Sequence, residues 1–221
     1  MITTNALYIF TDIDIIKATG LTSAFFLVNT AISLYVFRKD VVWRDAKNLL
    51  MPCIVGALLG SLLLVNMSPV ILLSLMFVFS LYFIYKKIKI VEGAEVPKDS
   101  FLKEQIVGLF AGAVIGAALP GGGFLNAYFA SKGFTLSQMF GTISFLMPIV
   151  FLVKICVMFE AKVVQPSDLV GVLYAIPLLV VSNILIRKGM LKLSKTITDR
   201  LTILAMSILS VYILISIIKL M

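Results

Sequence analysis

Six stretches of the chain are long and apolar enough to cross a lipid bilayer as helices. A bilayer-spanning helix needs about 20 mostly apolar residues, and such stretches fill most of a chain of 221 residues that is 61% hydrophobic, with a mean hydropathy of +1.10. The sequence therefore predicts an all-α integral membrane protein. The predicted spans are 18–37, 49–66, 69–86, 138–158, 169–186 and 200–219.

Charge and composition exclude several functional classes. The net charge is +8, but the basic residues lie between apolar stretches rather than on one face with interleaved aromatic residues, so we expect no nucleic-acid partner. Cytosolic loops of a membrane protein collect such residues. Histidine is absent, which removes the commonest general base and transition-metal ligand. We expect neither an enzyme nor a protein that binds a metal or cofactor.

A seventh apolar stretch, 104–131, contains a cluster of helix-breaking residues, Pro120 followed by three glycines. Continuing a helix through these four residues costs roughly 6 kcal/mol, so we expect a break near Leu119. Backbone that is broken at membrane depth must be enclosed by protein or face a wet cavity. The preceding helix has small residues spaced by four, which favour close packing against a neighbour: Gly108, Gly112 and Gly116.

The basic residues favour a topology in which this seventh stretch enters the membrane and returns to the same side. In that topology the segments 38–47, 86–104 and 187–200 are all cytoplasmic and hold fourteen lysines and arginines. A full crossing would export the five basic residues of 187–200, against the tendency of short cytoplasmic loops to be positive. We therefore predict a re-entrant, broken helix.

The chain also shows a weak internal repeat. A shift of 121 residues aligns three spans with three spans, and with one non-crossing hairpin per unit the two halves are inverted. The predicted units are a first repeat (1–90), a cytoplasmic linker (91–103) and a second repeat (104–221). In this register the first glycine cluster falls at the chain start, so we expect an N-terminally incomplete first repeat. Chance similarity of apolar helices remains the alternative. The aligned residues are Asn5 with Asn126, Gly20 with Gly141, and Ser23 with Ser144.

Several short motifs resemble the sulfite exporter TauE/SafE family of membrane permeases. They are GLFAGAVIGAALPGGGF (108–124), FGTIS (140–144), its partner TGLTS (19–23), and VVWRDA (41–46). The resemblance implies two similar halves, each opening with a glycine-rich stretch, and a cargo of small sulfur-containing oxyanions such as sulfite, thiosulfate or sulfonates. The chain departs from the family where Asn126 and Ala127 replace the proline that usually follows the glycines.

These features together predict an anion site at the helix break. Glycines let main-chain N–H groups approach a ligand, and a short helix starting near Phe124 would point its positive end there. Hydroxyl and amide donors would complete the site. Helix packing is the alternative role of the glycines, and interhelical hydrogen bonding that of the hydroxyls. The predicted substrate-binding residues are Gly121, Gly122, Gly123, Asn126, Thr142, Ser144, Thr22, Ser23 and Asn5.

The expected protein is thus a multi-pass transporter in a prokaryotic cell membrane, working by alternating access. Lys17 and Lys154 lie near span ends, and we expect both to snorkel to the interface; attraction of anions is the alternative role of either. No buried carboxylate stands out as a proton carrier, because Glu104 and the other acids fall near boundaries. A non-transporting remnant or scaffold derived from such a permease is the alternative function. Direction, coupling ion and assembly into a homo-oligomer stay open.

Overall fold

The structure, a computed structural model, is helical wherever regular structure is described. It describes residues 15–68, 101–117 and 121–190, and the isolated helical residues 70, 71, 74, 77, 78, 81, 207 and 211. The all-α prediction is confirmed. The helices are α1 (Ile15–Phe37), α2 (Trp43–Asn66), α3 (Phe101–Gly116), α4 (Gly121–Ser131), α5 (Leu136–Glu160) and α6 (Val170–Met190), with 3-10 turns at Arg38–Asp40 and Pro166–Leu169.

Four helical segments in the described part of the chain have the length and apolar composition of a membrane span. They correspond to four of the six predicted spans. The other two predicted spans, 69–86 and 200–219, lie largely outside the described residues, as does Asn5, and these remain predictions. The four segments are Ile16–Asp40, Trp43–Asn66, Leu136–Glu160 and Pro166–Arg187.

Helices α1 and α5 pack against each other in opposite directions. Phe26 stacks on Phe151 with ring centroids 5.8 Å apart, and Phe37 lies 5.9 Å from Phe140. Numbers rise along one helix as they fall along the other, which makes the pair antiparallel. α6 runs beside α1, and most of its large apolar side chains, Tyr174 and Leu178 among them, are exposed, as suits a face turned toward lipid.

Helices α2 and α3 run parallel with their backbones in contact. A Cβ placed at Gly112 would overlap the carbonyl oxygen of Cys53, and one at Gly116 would overlap that of Ala57. The glycine flank of α3 therefore packs closely, as predicted. The partner helix contributes its own pair four residues apart, because Gly56 and Gly60 meet the α3 backbone in the same way. This reciprocal packing is the small-residue pattern of membrane helix pairs.

The chain folds back on itself between α3 and α4. α4 ends in a turn with Gly133 at φ 76°, a left-handed conformation that glycine adopts without strain. Thr135 and Gln138 then cap the start of α5 reciprocally, at 3.3 and 3.0 Å. Just after α4, the Lys132 Nζ lies 2.6 Å from the Glu104 Oε1 in the first turn of α3. The two ends of the hairpin thus meet.

The basic end of the bundle is where this hairpin begins and ends. α1 and α6 finish there and α2, α3 and α5 start there, since Gly141 packs on the backbone of Asp40 and Arg187 bonds the Val36 carbonyl. Lys17 and Asp168, paired at 3.1 Å, mark the opposite end. We define the basic end by its exposed cations Arg38, Lys39, Arg44, Lys47, Lys103 and Arg187.

Candidate functional site

The predicted break forms the tip of the hairpin. α3 ends at Gly116 and α4 begins at Gly121, so two helices are separated here as expected, while Leu119, where the break is predicted, lies outside the described residues. The second helix, however, starts at Gly121 and not near Phe124. Pro120 immediately precedes it, and a proline at a helix start loses no hydrogen bond and restricts the chain to a helical φ. The N–H groups of Gly121, Gly122 and Gly123 therefore precede the hydrogen-bond ladder of α4.

A buried lysine reaches this tip from α5. The Lys154 side chain belongs to a residue only 2% exposed, and its Nζ donates to the carbonyl oxygen of Ile115, 3.2 Å away, just before the break. Among the described residues Lys154 has no ion-pair partner. The expectation that it snorkels to the interface is wrong, because α5 continues to Glu160 and the neighbouring Ile155 and Met158 are buried with it.

The predicted hydroxyl residues of α1 lie level with this lysine. Met158 is beside Gly20 and Phe151 beside Phe26, so the antiparallel register places Lys154 opposite Thr22 and Ser23. Both are buried, at 4% and 3% exposed. Each hydroxyl donates to a carbonyl four residues earlier, at 2.8 and 2.7 Å respectively. These bonds give the two hydroxyls a role within α1.

The other two predicted hydroxyls lie at the far end of α5, about 15 to 18 Å from Lys154 at 1.5 Å per residue. Thr142 accepts a hydrogen bond from the Val42 amide at 3.1 Å, and Ser144 donates to Ser33 across the α1–α5 interface at 2.8 Å. Both are buried. The structure therefore separates the predicted donors into two groups, one near the hairpin tip and one near the basic end. Asn126 lies on α4, partly buried.

Sequence reasoning missed an ion cluster at the base of the hairpin. Lys132 contacts Asp45 of α2 and Glu104 of α3, and all three side chains are at most 11% exposed. Asn48 donates to the other Glu104 oxygen at 2.9 Å. Asp45 and Glu104 are both buried, whereas Glu104 was expected only to lie near a boundary; that no buried carboxylate carries protons stays a prediction. Their position in the first turn of α2 and α3, beside apolar runs, was the available signal.

Lys17 behaves as expected for a residue at a span end. Its side chain is 38% exposed and pairs with Asp168 in the turn that precedes α6. The contrast with Lys154 is instructive because both lysines are near the ends of apolar stretches. Lys17 pairs with a carboxylate at the surface, and Lys154 keeps its side-chain nitrogen inside the bundle.

Comparison with known proteins identifies the family. The model of the sulfite exporter TauE/SafE family matches residues 1–217. No curated protein and no solved structure matches the chain significantly. The family is one of membrane transporters, which agrees with the apolar helices and with the glycine-rich hairpin. Since the match covers nearly all of its length, the chain belongs to the sulfite exporter TauE/SafE family.

Proposed function

We propose that this protein carries small sulfur-containing oxyanions, such as sulfite, thiosulfate or sulfonates, across the cell membrane and binds them at the hairpin tip. The observation that carries the proposal is the Lys154 side chain, buried and without a carboxylate partner among the described residues. An ionisable group inside a membrane bundle is expensive to keep and usually marks a substrate or ion pathway. An anion bound beside it would offset its charge.

The backbone at the tip supports the same ligand. The N–H groups of Gly121, Gly122 and Gly123 precede the hydrogen-bond ladder of α4, and the helix dipole adds partial positive charge at that end. Lys154 bonds the Ile115 carbonyl on the other side of the break, which brings its ammonium to the same gap between α3 and α4. Glycines at the start of α4 leave room for an oxyanion to approach the N–H groups.

The site would lie well inside the membrane. From Glu104 to Gly116 the hairpin rises by about 18 Å at 1.5 Å per residue, somewhat more than half of a hydrocarbon core of about 30 Å. The meeting of Lys132 with Glu104 supports a re-entrant hairpin that returns to its starting side. We take the basic end as cytoplasmic, because short cytoplasmic loops are rich in lysine and arginine.

The inverted repeat is part of the proposal, and two contacts support it. A Cβ at Gly20 would lie 3.0 Å from the Met158 sulfur, and one at Gly141 would lie 3.0 Å from the Phe37 carbonyl oxygen. The shift of 121 residues pairs Gly20 with Gly141 and Phe37 with Met158, so each of these two contacts is the counterpart of the other. Transporters with inverted repeats bind substrate at broken helices between the repeats and rock one repeat against the other. Alternating access at the hairpin tip is the mechanism that follows.

Flux measurements in proteoliposomes test the proposal. The wild-type protein should transport at least one of sulfite, thiosulfate and a sulfonate. Lys154→Met removes a charge-assisted hydrogen bond of about 1.5–3 kcal/mol, so transport at low substrate concentration should fall about 10- to 100-fold. Lys154→Arg, which keeps the charge, should retain more flux. Lys162→Met removes an exposed charge beyond the end of α5 and serves as the matched control.

Stability separates a transport defect from unfolding. Replacing a buried, uncompensated charge by an apolar side chain of similar size is neutral or stabilising, so the Lys154→Met protein should melt no earlier than wild type in detergent. Absence of flux for all three anions with folded wild-type protein would overturn the proposed function. Equal flux by wild type and Lys154→Met would show that Lys154 takes no part in substrate binding.

A further inference from the structure

A groove of about 1000 Å³ opens between α1 and α6 at the basic end, away from the hairpin tip. Its floor is apolar and includes Ile32 of α1 with Val180 and Ile184 of α6. Its rim carries three cations, which are Arg38, Lys39 and Arg187. No acidic residue lines it in the described part of the chain. The described surface of the groove thus combines an apolar floor with a basic rim.

Aromatic rings and backbone position the two arginines at the rim. The Arg38 guanidinium lies 5.1 Å from the centre of the Tyr35 ring, and that of Arg187 lies 5.6 Å from the Phe37 ring. Arg187 also donates to the Val36 carbonyl. Among the described residues neither arginine nor Lys39 pairs with a carboxylate. Three positive charges therefore converge on one groove, and none of the described residues that line it is acidic.

The cations and the apolar floor of the groove lie at the depths of the headgroup and the acyl chains of a phospholipid. Arg38 and Arg187 lie at the ends of two membrane spans, where a lipid headgroup would be. Val180 is seven residues before Arg187, which places it about 10 Å deeper at 1.5 Å per residue, at the depth of acyl chains. Basic pockets between membrane helices bind anionic headgroups, and nearby cations add attraction to an anionic leaflet.

We propose that this groove binds one anionic phospholipid. Arg38, Lys39 and Arg187 hold its phosphate and headgroup, and an acyl chain lies between α1 and α6. A free phosphate ion would leave the apolar floor unused, and an apolar helix would leave the three cations unpaired. Anionic lipid is the single occupant that satisfies both parts of the groove.

Native mass spectrometry of the full chain in detergent tests this site. The probes are phosphatidylglycerol, phosphatidylcholine with the same acyl chains, and inorganic phosphate. Wild type should retain phosphatidylglycerol at least about 10-fold more strongly than phosphatidylcholine and should not bind inorganic phosphate. The triple variant R38Q/K39Q/R187Q should lose this preference. The matched control R44Q/K47Q/K103Q removes three exposed cations from the same end outside the groove and should keep it.

A second variant tests the apolar floor without changing charge. Val180 is 37% exposed, so Val180→Trp can be accommodated at the surface and should fill the groove and weaken phosphatidylglycerol retention. Equal loss in both triple variants would overturn the proposal, since it would mean that overall charge and not the groove attracts lipid. So would inorganic phosphate binding as strongly as the lipid, or undiminished lipid retention by folded Val180→Trp.

Discussion

Lys132 joins three elements of the hairpin base, so its removal is the most informative single change for the fold. Its ammonium contacts Asp45 of α2 and Glu104 of α3, and the three side chains are 7%, 11% and 9% exposed. Lys132→Met leaves two buried carboxylates without a counter-charge. Two charge-assisted hydrogen bonds of about 1.5–3 kcal/mol each are lost, and breaking a buried ion pair costs about 3–5 kcal/mol. We expect a loss of about 3–5 kcal/mol.

Unfolding in denaturing detergent, followed by tryptophan fluorescence, measures this loss. Trp43 is the single tryptophan of the chain, and its ring lies 5.1 Å from that of Phe145, so its emission reports the basic end. Lys103→Met removes an exposed lysine next to Glu104 and should change stability by less than about 0.5 kcal/mol. It is the control for simple loss of positive charge.

A compensated variant distinguishes charge balance from loss of packing. D45N/E104Q/K132M removes all three charges with little change in volume, and such replacements are often neutral. The triple variant should therefore regain most of the stability that Lys132→Met loses. The reasoning is refuted if Lys132→Met is within about 1 kcal/mol of wild type, or if the triple variant is no more stable than the single one.

Two further predictions use the same unfolding measurement. Gly112→Ala should lower the free energy of unfolding by about 1–3 kcal/mol, because its Cβ would overlap the Cys53 carbonyl oxygen. The control Gly171→Ala on α6, where nothing lies within 4 Å of a new Cβ, should raise it by up to about 1 kcal/mol through helix propensity. Equal effects would contradict backbone contact between α2 and α3. Lys162 has φ 57°, and Lys162→Gly should gain about 1 kcal/mol by relieving left-handed strain, so an unchanged midpoint would argue against that strain.

Local properties of the chain predicted the four described spans and the separation of α3 from α4, whereas the burial of individual charges depends on neighbours. Hydropathy over about 20 residues is a property of the segment itself, as is the penalty for Pro120 and three glycines in one helix. Lys17 and Lys154 both lie near the ends of such segments. Only the packing of α3 and α1 against α5 places Lys154 inside, and no pattern within α5 distinguishes it from a snorkelling lysine.

The hairpin base gives a second example of burial that depends on neighbours, this time of a carboxylate. Glu104 falls in the first turn of its helix, where a carboxylate ordinarily meets water and the helix dipole. It is buried because α4 returns to it and brings Lys132 within 2.6 Å. The sequence predicted that the hairpin returns, but the residues that meet on return depend on how α4 packs along α3. Partner identity is therefore a consequence of chain reversal and not of composition.

Under the proposed inverted repeat, the charge of Lys154 makes the two halves unequal at equivalent positions. A shift of 121 residues pairs Ser23 with Ser144 and Ser33 with Lys154. The residue pair Ser33 and Ser144, joined by a hydrogen bond, thus corresponds to the pair Lys154 and Ser23, which lie level with each other. One position joins two neutral hydroxyls, and the other holds an ammonium beside a helix break. In the proposed mechanism, anion attraction is therefore concentrated at the hairpin tip, because a basic side chain lies at only one of these two positions, and the Ser33–Ser144 bond joins α1 to α5.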